Sequence, residues 1–143
     1  MYLVDTSVWI DFLQGRSATH VHALKTLLEG DEIVAVAPII LQEILQGAES
    51  QQRLEKWRKY FLELSCLVPA NAVATHVAAA QLYQQCRRAG KTPRSSNDCL
   101  IARIAIEHQA TLLHNDRDFE VIAEVEPALR LYRGPAKPAK PAS

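Results

Sequence analysis

Nothing in this chain announces a disulfide framework, a zinc site or a membrane. Its three cysteines, Cys66, Cys86 and Cys99, are widely separated, odd in number and without a CxxC pair. That spacing excludes a stapled secreted scaffold and a zinc knuckle, and leaves the thiols as reduced packing residues. No apolar run is long enough to cross a bilayer, and the first residues carry neither a basic stretch nor a small-residue cleavage site. A cytoplasmic protein with no membrane association is expected. An excess of one charge is also lacking, since sixteen Lys plus Arg balance sixteen Asp plus Glu. Any attraction for a polyanion must therefore be local. Internal repeats are absent too.

What remains, 143 residues of which 48% are hydrophobic and 22% charged, suits one domain with one core. Short β-rich runs alternate with longer helical patterns. Tyr2 to Val4 reads as a strand, after which Thr6 or Ser7 caps a helix carrying Val8, Trp9, Phe12 and Leu13 and ending at Gly15. A helix over 20–29, a strand over 33–36, a helix from Pro38 to Gly47 and an amphipathic helix through Leu54, Trp57, Phe61 and Leu62 follow. Leu64 to Val68 is the next strand. An alanine-rich helix over 72–89, with Val73, Val77, Ala80 and Tyr83 as its apolar positions, ends in Arg87, Arg88 and Gly90. Next come a helix over 96–108, a strand over 111–113, a polar turn at 115–118, the segment 119–123 and an edge strand over 129–132. This alternation predicts an α/β fold with a mainly parallel central sheet and helices on both faces, joined by right-handed crossovers. The domain spans 1–133, and 134–143, which repeats Ala, Lys and Pro, reads as a disordered tail.

In such sheets the working groups collect beyond the carboxyl ends of the strands, so the acids there are informative. Asp5 follows the first strand, and Asp116 and Asp118 follow the fourth. Glu43 lies among Ile39, Ile40 and Ile44, at the margin of a buried helix face, and Asp98 is aligned with Ile101 and Ala102 on the apolar side of its helix. Singly, each has an ordinary role open to it: Asp5 and Asp98 as helix-capping acids, Asp116 and Asp118 as turn formers, Glu43 as half of a salt bridge. Together they are harder to dismiss. Two carboxylates about 4 Å apart repel by roughly 4 kcal/mol at an effective dielectric near 20, so several in one pocket demand a cation. No His and Cys grouping has ligand spacing, which favours a hard ion such as Mg²⁺ or Mn²⁺. The densest basic stretch, Arg87, Arg88, Lys91 and Arg94, leads into the helix of Asp98 and is the candidate for phosphate contacts.

Four segments, Val4-Asp5-Thr6-Ser7-Val8-Trp9, Leu41-Gln42-Glu43-Ile44-Leu45, Asn97-Asp98-Cys99-Leu100-Ile101-Ala102 and Asn115-Asp116-Arg117-Asp118-Phe119, together resemble the PIN-domain ribonucleases, and among them the VapC-type toxins of toxin–antitoxin pairs. The resemblance implies a PIN-like three-layer fold and an endoribonuclease in which Asp5, Glu43, Asp98 and Asp116 form the catalytic acidic quartet. Asp5, Asp98, Asp116 and Asp118 would hold Mg²⁺ or Mn²⁺, with Thr6 or Ser7 in support. The ion would activate water and neutralise charge at the scissile phosphate, and two such ions would stand roughly 3.5 to 4 Å apart. It further implies structured RNA such as tRNA or rRNA as substrate, inhibition of translation, a homodimer, and silencing by a VapB-type antitoxin seated in an apolar groove with Trp9, Phe12, Trp57 and Phe61 as its walls. His114 departs from the Thr or Ser usual before the Asn-Asp-Arg-Asp run, and reads as a satisfied interior histidine.

Other classes fit less well. A haloacid-dehalogenase-like phosphatase needs a second Asp where Ser7 stands, and a receiver module needs a lysine after its last strand. A non-catalytic RNA- or protein-binding module on the same fold is the remaining alternative.

Overall fold

The computed structural model describes residues 1–135. The tail assigned to 134–143 falls almost wholly outside the described residues. The chain runs β1 (Tyr2–Val4), α1 (Thr6–Leu13), α2 (Thr19–Glu29), β2 (Val34–Val36), α3 (Pro38–Gln46), α4 (Gln51–Leu62), β3 (Ser65–Cys66), α5 (Ala72–Arg88), α6 (Ser96–Glu107), β4 (Thr111–Leu113), α7 (Arg117–Val125) and β5 (Arg130–Leu131). The five strands form one sheet in the order β3-β2-β1-β4-β5, and every pairing is parallel. β1 is central, aligning Leu3 with Ala35 on one side and with Leu112 on the other.

That order decides where the helices go. The chain moves outward from β1 to β2 to β3, then returns across the sheet to β4 and moves outward the other way to β5. Right-handed crossovers in opposite directions lay α1 to α4 on one face and α5 to α7 on the other. The packing agrees: α1 contacts α2 and α3, and α3 contacts α4, whereas α5, α6 and α7 contact one another. Covered on both sides, the central strands bury consecutive residues: Leu3 and Val4, Ala35 and Val36, Leu112 and Leu113. Each large side chain so enclosed contributes about 1.5 to 3 kcal/mol. Trp9 and Phe61 are fully buried, in an edge-to-face aromatic cluster with Phe12 and Tyr60. Two of the four walls expected for an antitoxin groove are thus core.

Several local expectations change. Asp5, not Thr6 or Ser7, caps α1. The face of α5 is rotated: it buries Thr75, Ala79, Leu82 and Cys86 and leaves Val73 76% and Val77 52% exposed. Thr75 is tolerated inside because its hydroxyl donates to Glu107 on α6, at 2.8 and 2.9 Å from the two carboxylate oxygens. Cys86 and Cys99 are buried free thiols, with burial first among the causes that push Cys99 up to about 12, whereas Cys66 is exposed on the edge strand rather than packed. α5 ends as its glycine suggests. Gly90 takes a left-handed φ of 72°, and the N–H groups of Gly90 and Lys91 return to the carbonyls of Arg87 and Cys86. This closure fixes the start of the loop that carries Lys91 and Arg94.

Candidate active site

The neighbours of β1 lie on opposite sides of it, β2 reached immediately along the chain and β4 only after the long return, so the crevice beyond β1 and β4 is the topological switch point of the sheet. Asp5 stands at the first lip. Its N–H donates to the carbonyl of Leu113 at the end of β4, at 2.9 Å, so it is pinned where the two strands part. The residue is only 6% exposed, and its carboxylate accepts from the N–H of Ser7 at 3.3 Å and its hydroxyl at 2.8 Å. Burial pushes the carboxyl above its ordinary range, the Ser7 bonds draw it back, and the charge of Asp116 adds to the push. Asp5 therefore serves as a cap and as a site acid at once.

Glu43 reaches the same place from α3, where the Thr6 hydroxyl donates to it at 3.2 Å. Burial raises its carboxyl, the Thr6 bond lowers it and the charge of Asp5 raises it. Ser7 and Thr6 thus tether one acid each.

Asp116 caps α7, accepting from the N–H of Asp118 at 2.9 Å. Buried Asp118 accepts from both the N–H and the Nε of Arg94, each at 3.1 Å. Asp98 differs from the rest. Ser95 caps α6 by accepting from Asn97, and the Asp98 carboxylate does not fold back on the cap; it accepts no hydrogen bond among the described residues. Burial first, then the charges of Asp5, Asp116, Asp118 and Glu43, push its carboxyl from 3.8 to about 7. One oxygen each from Asp98, Asp116 and Asp118 lies within 4.8 Å of the others. Asp5 and Glu43 stand near enough to act on Asp98 through their charge. An all-oxygen donor set that includes a carboxylate without a hydrogen-bond donor among the described residues fits a hard divalent ion such as Mg²⁺ or Mn²⁺.

The cations are arranged differently from one another. Lys91 pairs with Glu124, and Arg94 pairs with Asp116 and Asp118. Arg87 lies over the ring of Tyr83 at 5.2 Å, and neither it nor Arg88 pairs with an acid among the described residues. Arg117 was missed from sequence. It is exposed at the start of α7 and lines, with Lys91, Arg94 and Asp118, a cavity of about 530 Å³. Its place between two site acids was the signal. His114 is interior, 10% exposed, with Nδ1 accepting from the N–H of Asp116 at 3.1 Å and Nε2 facing Glu120 at 3.3 Å. Nδ1 must therefore be the unprotonated nitrogen, and both ring positions are occupied structurally.

The profile of the PIN domain matches residues 2–125. A VapC ribonuclease of Mycobacterium bovis, Mb1587, is 38% identical over 126 residues, covering 87% of this chain and 93% of its own. Ribonuclease VapC11 of Mycobacterium tuberculosis shows the same figures. The chain belongs to the PIN-domain family of VapC ribonucleases. Among solved structures, the fold of this PIN domain is similar to that of VapBC2 from Rickettsia felis bound to a DNA fragment from their promoter, with a TM-score of 0.70 at 23% identity, covering 92% of this chain and 96% of that one. It is also similar to FitAcB from Neisseria gonorrhoeae, with a TM-score of 0.66 at 16% identity, covering 93% and 97%. The PIN match spans all five acids, from Asp5 to Asp118.

Proposed function

We propose that this VapC-family PIN domain is a Mg²⁺- or Mn²⁺-dependent endoribonuclease, the toxin of a VapBC-type pair, cutting structured RNA such as tRNA or rRNA and thereby inhibiting translation. The observation that carries it is Asp98, whose oxygen lies within 4.8 Å of oxygens of Asp116 and Asp118 and which accepts no hydrogen bond among the described residues, its carboxyl raised to about 7 by burial and four surrounding acids. The curated relatives named as ribonucleases support the reading. When bound, the ion supplies activation of water and neutralisation of charge at the scissile phosphate. The chain's own residues do the rest. Asp98, Asp116 and Asp118 present converging oxygens, Ser7 and Thr6 hold Asp5 and Glu43, and the acids surrounding Asp98 leave it unstable without a partner. A purified sample incubated with a total tRNA and rRNA pool tests this: new RNA ends are expected with Mg²⁺ or Mn²⁺ and none in EDTA. Intact RNA under both conditions refutes the proposal.

Substrate phosphates fall to Arg87, Arg88 and Arg117, which have no acid partner among the described residues, and to Lys91 and Arg94 once their acids are otherwise engaged. Arg87→Ala and Arg117→Ala are each expected to reduce the slope of log affinity against log salt by about 1, measured by RNA binding in Ca²⁺. Unchanged slopes return these residues to the solvated surface.

For the partner, a groove of about 690 Å³ is lined by Phe12, Leu13, Trp57 and Tyr60 with Arg53 and Lys56 among its polar wall, and has no acid in it. It suits an amphipathic, acidic antitoxin segment. The VapBC complexes among the structural neighbours accord with such a partner. A homodimer accords with the exposed Val73 and Val77 on α5, an apolar stripe that a second copy would cover. Val77→Asp is then expected to shift the protein from dimer to monomer in light scattering; an unshifted mass places the dimer face elsewhere. A cytoplasmic location follows from the proposed substrate.

A further inference from the structure

Arg94 holds an unusual place for a residue meant to meet RNA. Its Nε donates to Asp118 at 3.1 Å and its Nη2 to Asp116 at 2.9 Å. These are two of the three acids whose oxygens converge. A guanidinium is a planar fork of permanent charge that matches paired carboxylates, so it is a competent, though only singly charged, substitute for an ion. The side chain is 74% exposed, so burial does not hold it there. The backbone is held: the N–H of Arg94 also donates to Asp118 at 3.1 Å, and the glycine closure of α5 fixes the loop's other end. The guanidinium can therefore leave while the loop stays.

Resting on the metal reading above, we propose that Arg94 is the site's built-in counter-ion, bridging Asp116 and Asp118 until a divalent ion displaces it. Two consequences follow. Metal affinity is lower than the acids alone would give, because part of the ion's gain goes to breaking the two guanidinium contacts. Displacement also delivers a free arginine beside the ion, where it can take an RNA phosphate, so metal and substrate favour the same position of one side chain. Lys91 supplies the control, with the same formal charge in the same loop but paired with Glu124, outside the acid cluster.

The test is Mn²⁺ binding to the full chain without RNA, followed by electron paramagnetic resonance, for the parent, Arg94→Gln and Lys91→Gln. Arg94→Gln is expected to bind Mn²⁺ about three- to tenfold more tightly, the range for releasing exposed, screened ion pairs, and Lys91→Gln to stay within about twofold of the parent. In EDTA, Arg94→Gln is expected to melt below the parent, and saturating Mn²⁺ to narrow the gap. Equal or weaker binding by Arg94→Gln overturns the counter-ion role while leaving the metal site standing. An equal gain in Lys91→Gln also overturns it, because the effect is then a general field. If neither parent nor Arg94→Gln binds Mn²⁺ at millimolar levels, the metal reading fails and this proposal falls with it.

Discussion

Asp98→Asn is expected to lower divalent-dependent RNA cleavage by more than about a hundredfold in kcat/KM, since loss of groups that merely support metal ligands already costs about 10- to 100-fold. The fold should survive. Asn has the shape of Asp, the Asp98 carboxylate accepts no hydrogen bond from the described residues that would be lost, and Ser95 caps the helix without its help. The variant should indeed be the more stable protein when metal is absent. The ionised Asp98 sits among four other acids, and its rise to about 7 measures how unwelcome that charge is. Because the side chain is partly open to solvent, the relief at pH 8 is on the order of 1 to 2 kcal/mol after screening is allowed for, or a few degrees in Tm. Lost activity with a raised metal-free Tm separates a metal-holding acid from a structural one, whose removal would lower both. A variant that cuts RNA at the parent rate refutes the assignment.

The second large effect is the loss, when metal binds, of the pH dependence of stability that these acids create. Without an ion, stability is expected to fall as pH rises from about 4 to 7. Across that window native Asp98 keeps a proton that the unfolded chain, near 3.8, has released, so each step up in pH favours unfolding, and the loss is complete once pH passes about 7. The raised carboxyls of Asp5 and Glu43 act in the same direction. Glu120, lowered mainly by its hydrogen bond from Arg133, opposes them only at and below the ordinary carboxylate range. With saturating Mn²⁺ the ionised carboxylates are the binding form, so the native acids carry no proton to lose and the fall should vanish, leaving stability level above about pH 5 and rising with pH only below it. At a hundred times Kd the ion adds about 2.7 kcal/mol, which for a chain of this size is roughly 5 to 10 °C in Tm. Melting curves at pH 5 and pH 8, with Mn²⁺ and with EDTA, provide the comparison. Parallel pH profiles in the two conditions would show that the acids do not hold the ion.

The convergence of the acids was legible because it follows from strand order. Asp5 directly follows one buried, apolar strand and Asp116 comes three residues after another, and a parallel sheet places such ends at one edge. What the linear pattern could not convey was which groups satisfy one another. Arg94 and Lys91 read alike as loop cations, yet one reaches two site acids and the other Glu124, a distinction set by the glycine closure of α5 and by contacts 22 to 33 residues away in sequence. Helix α5 was misread for a related reason. Alanine gives almost no periodicity, so the valines looked like the core face, whereas buried Thr75 is accommodated only by a partner on α6. β3 and β5, two residues each, were expected to be longer; the flanking residues are apolar enough to resemble strand, and Leu67 and Tyr132 still donate to Val36 and Leu112 where the regular pairing ends. Capping by Asp5 was open to prediction, but a site acid and a cap are not exclusive, and here one carboxylate is both.

Titrating Mn²⁺ into the metal-free full chain at pH 7, by calorimetry in two buffers of different ionisation heat, probes the crowding of these carboxylates at its source. Saturable binding accompanied by release of a fraction of a proton, with both signals lost in Asp98→Asn, is the expected result. No heat up to several millimolar ion, or the same isotherm in Asp98→Asn, would contradict the account.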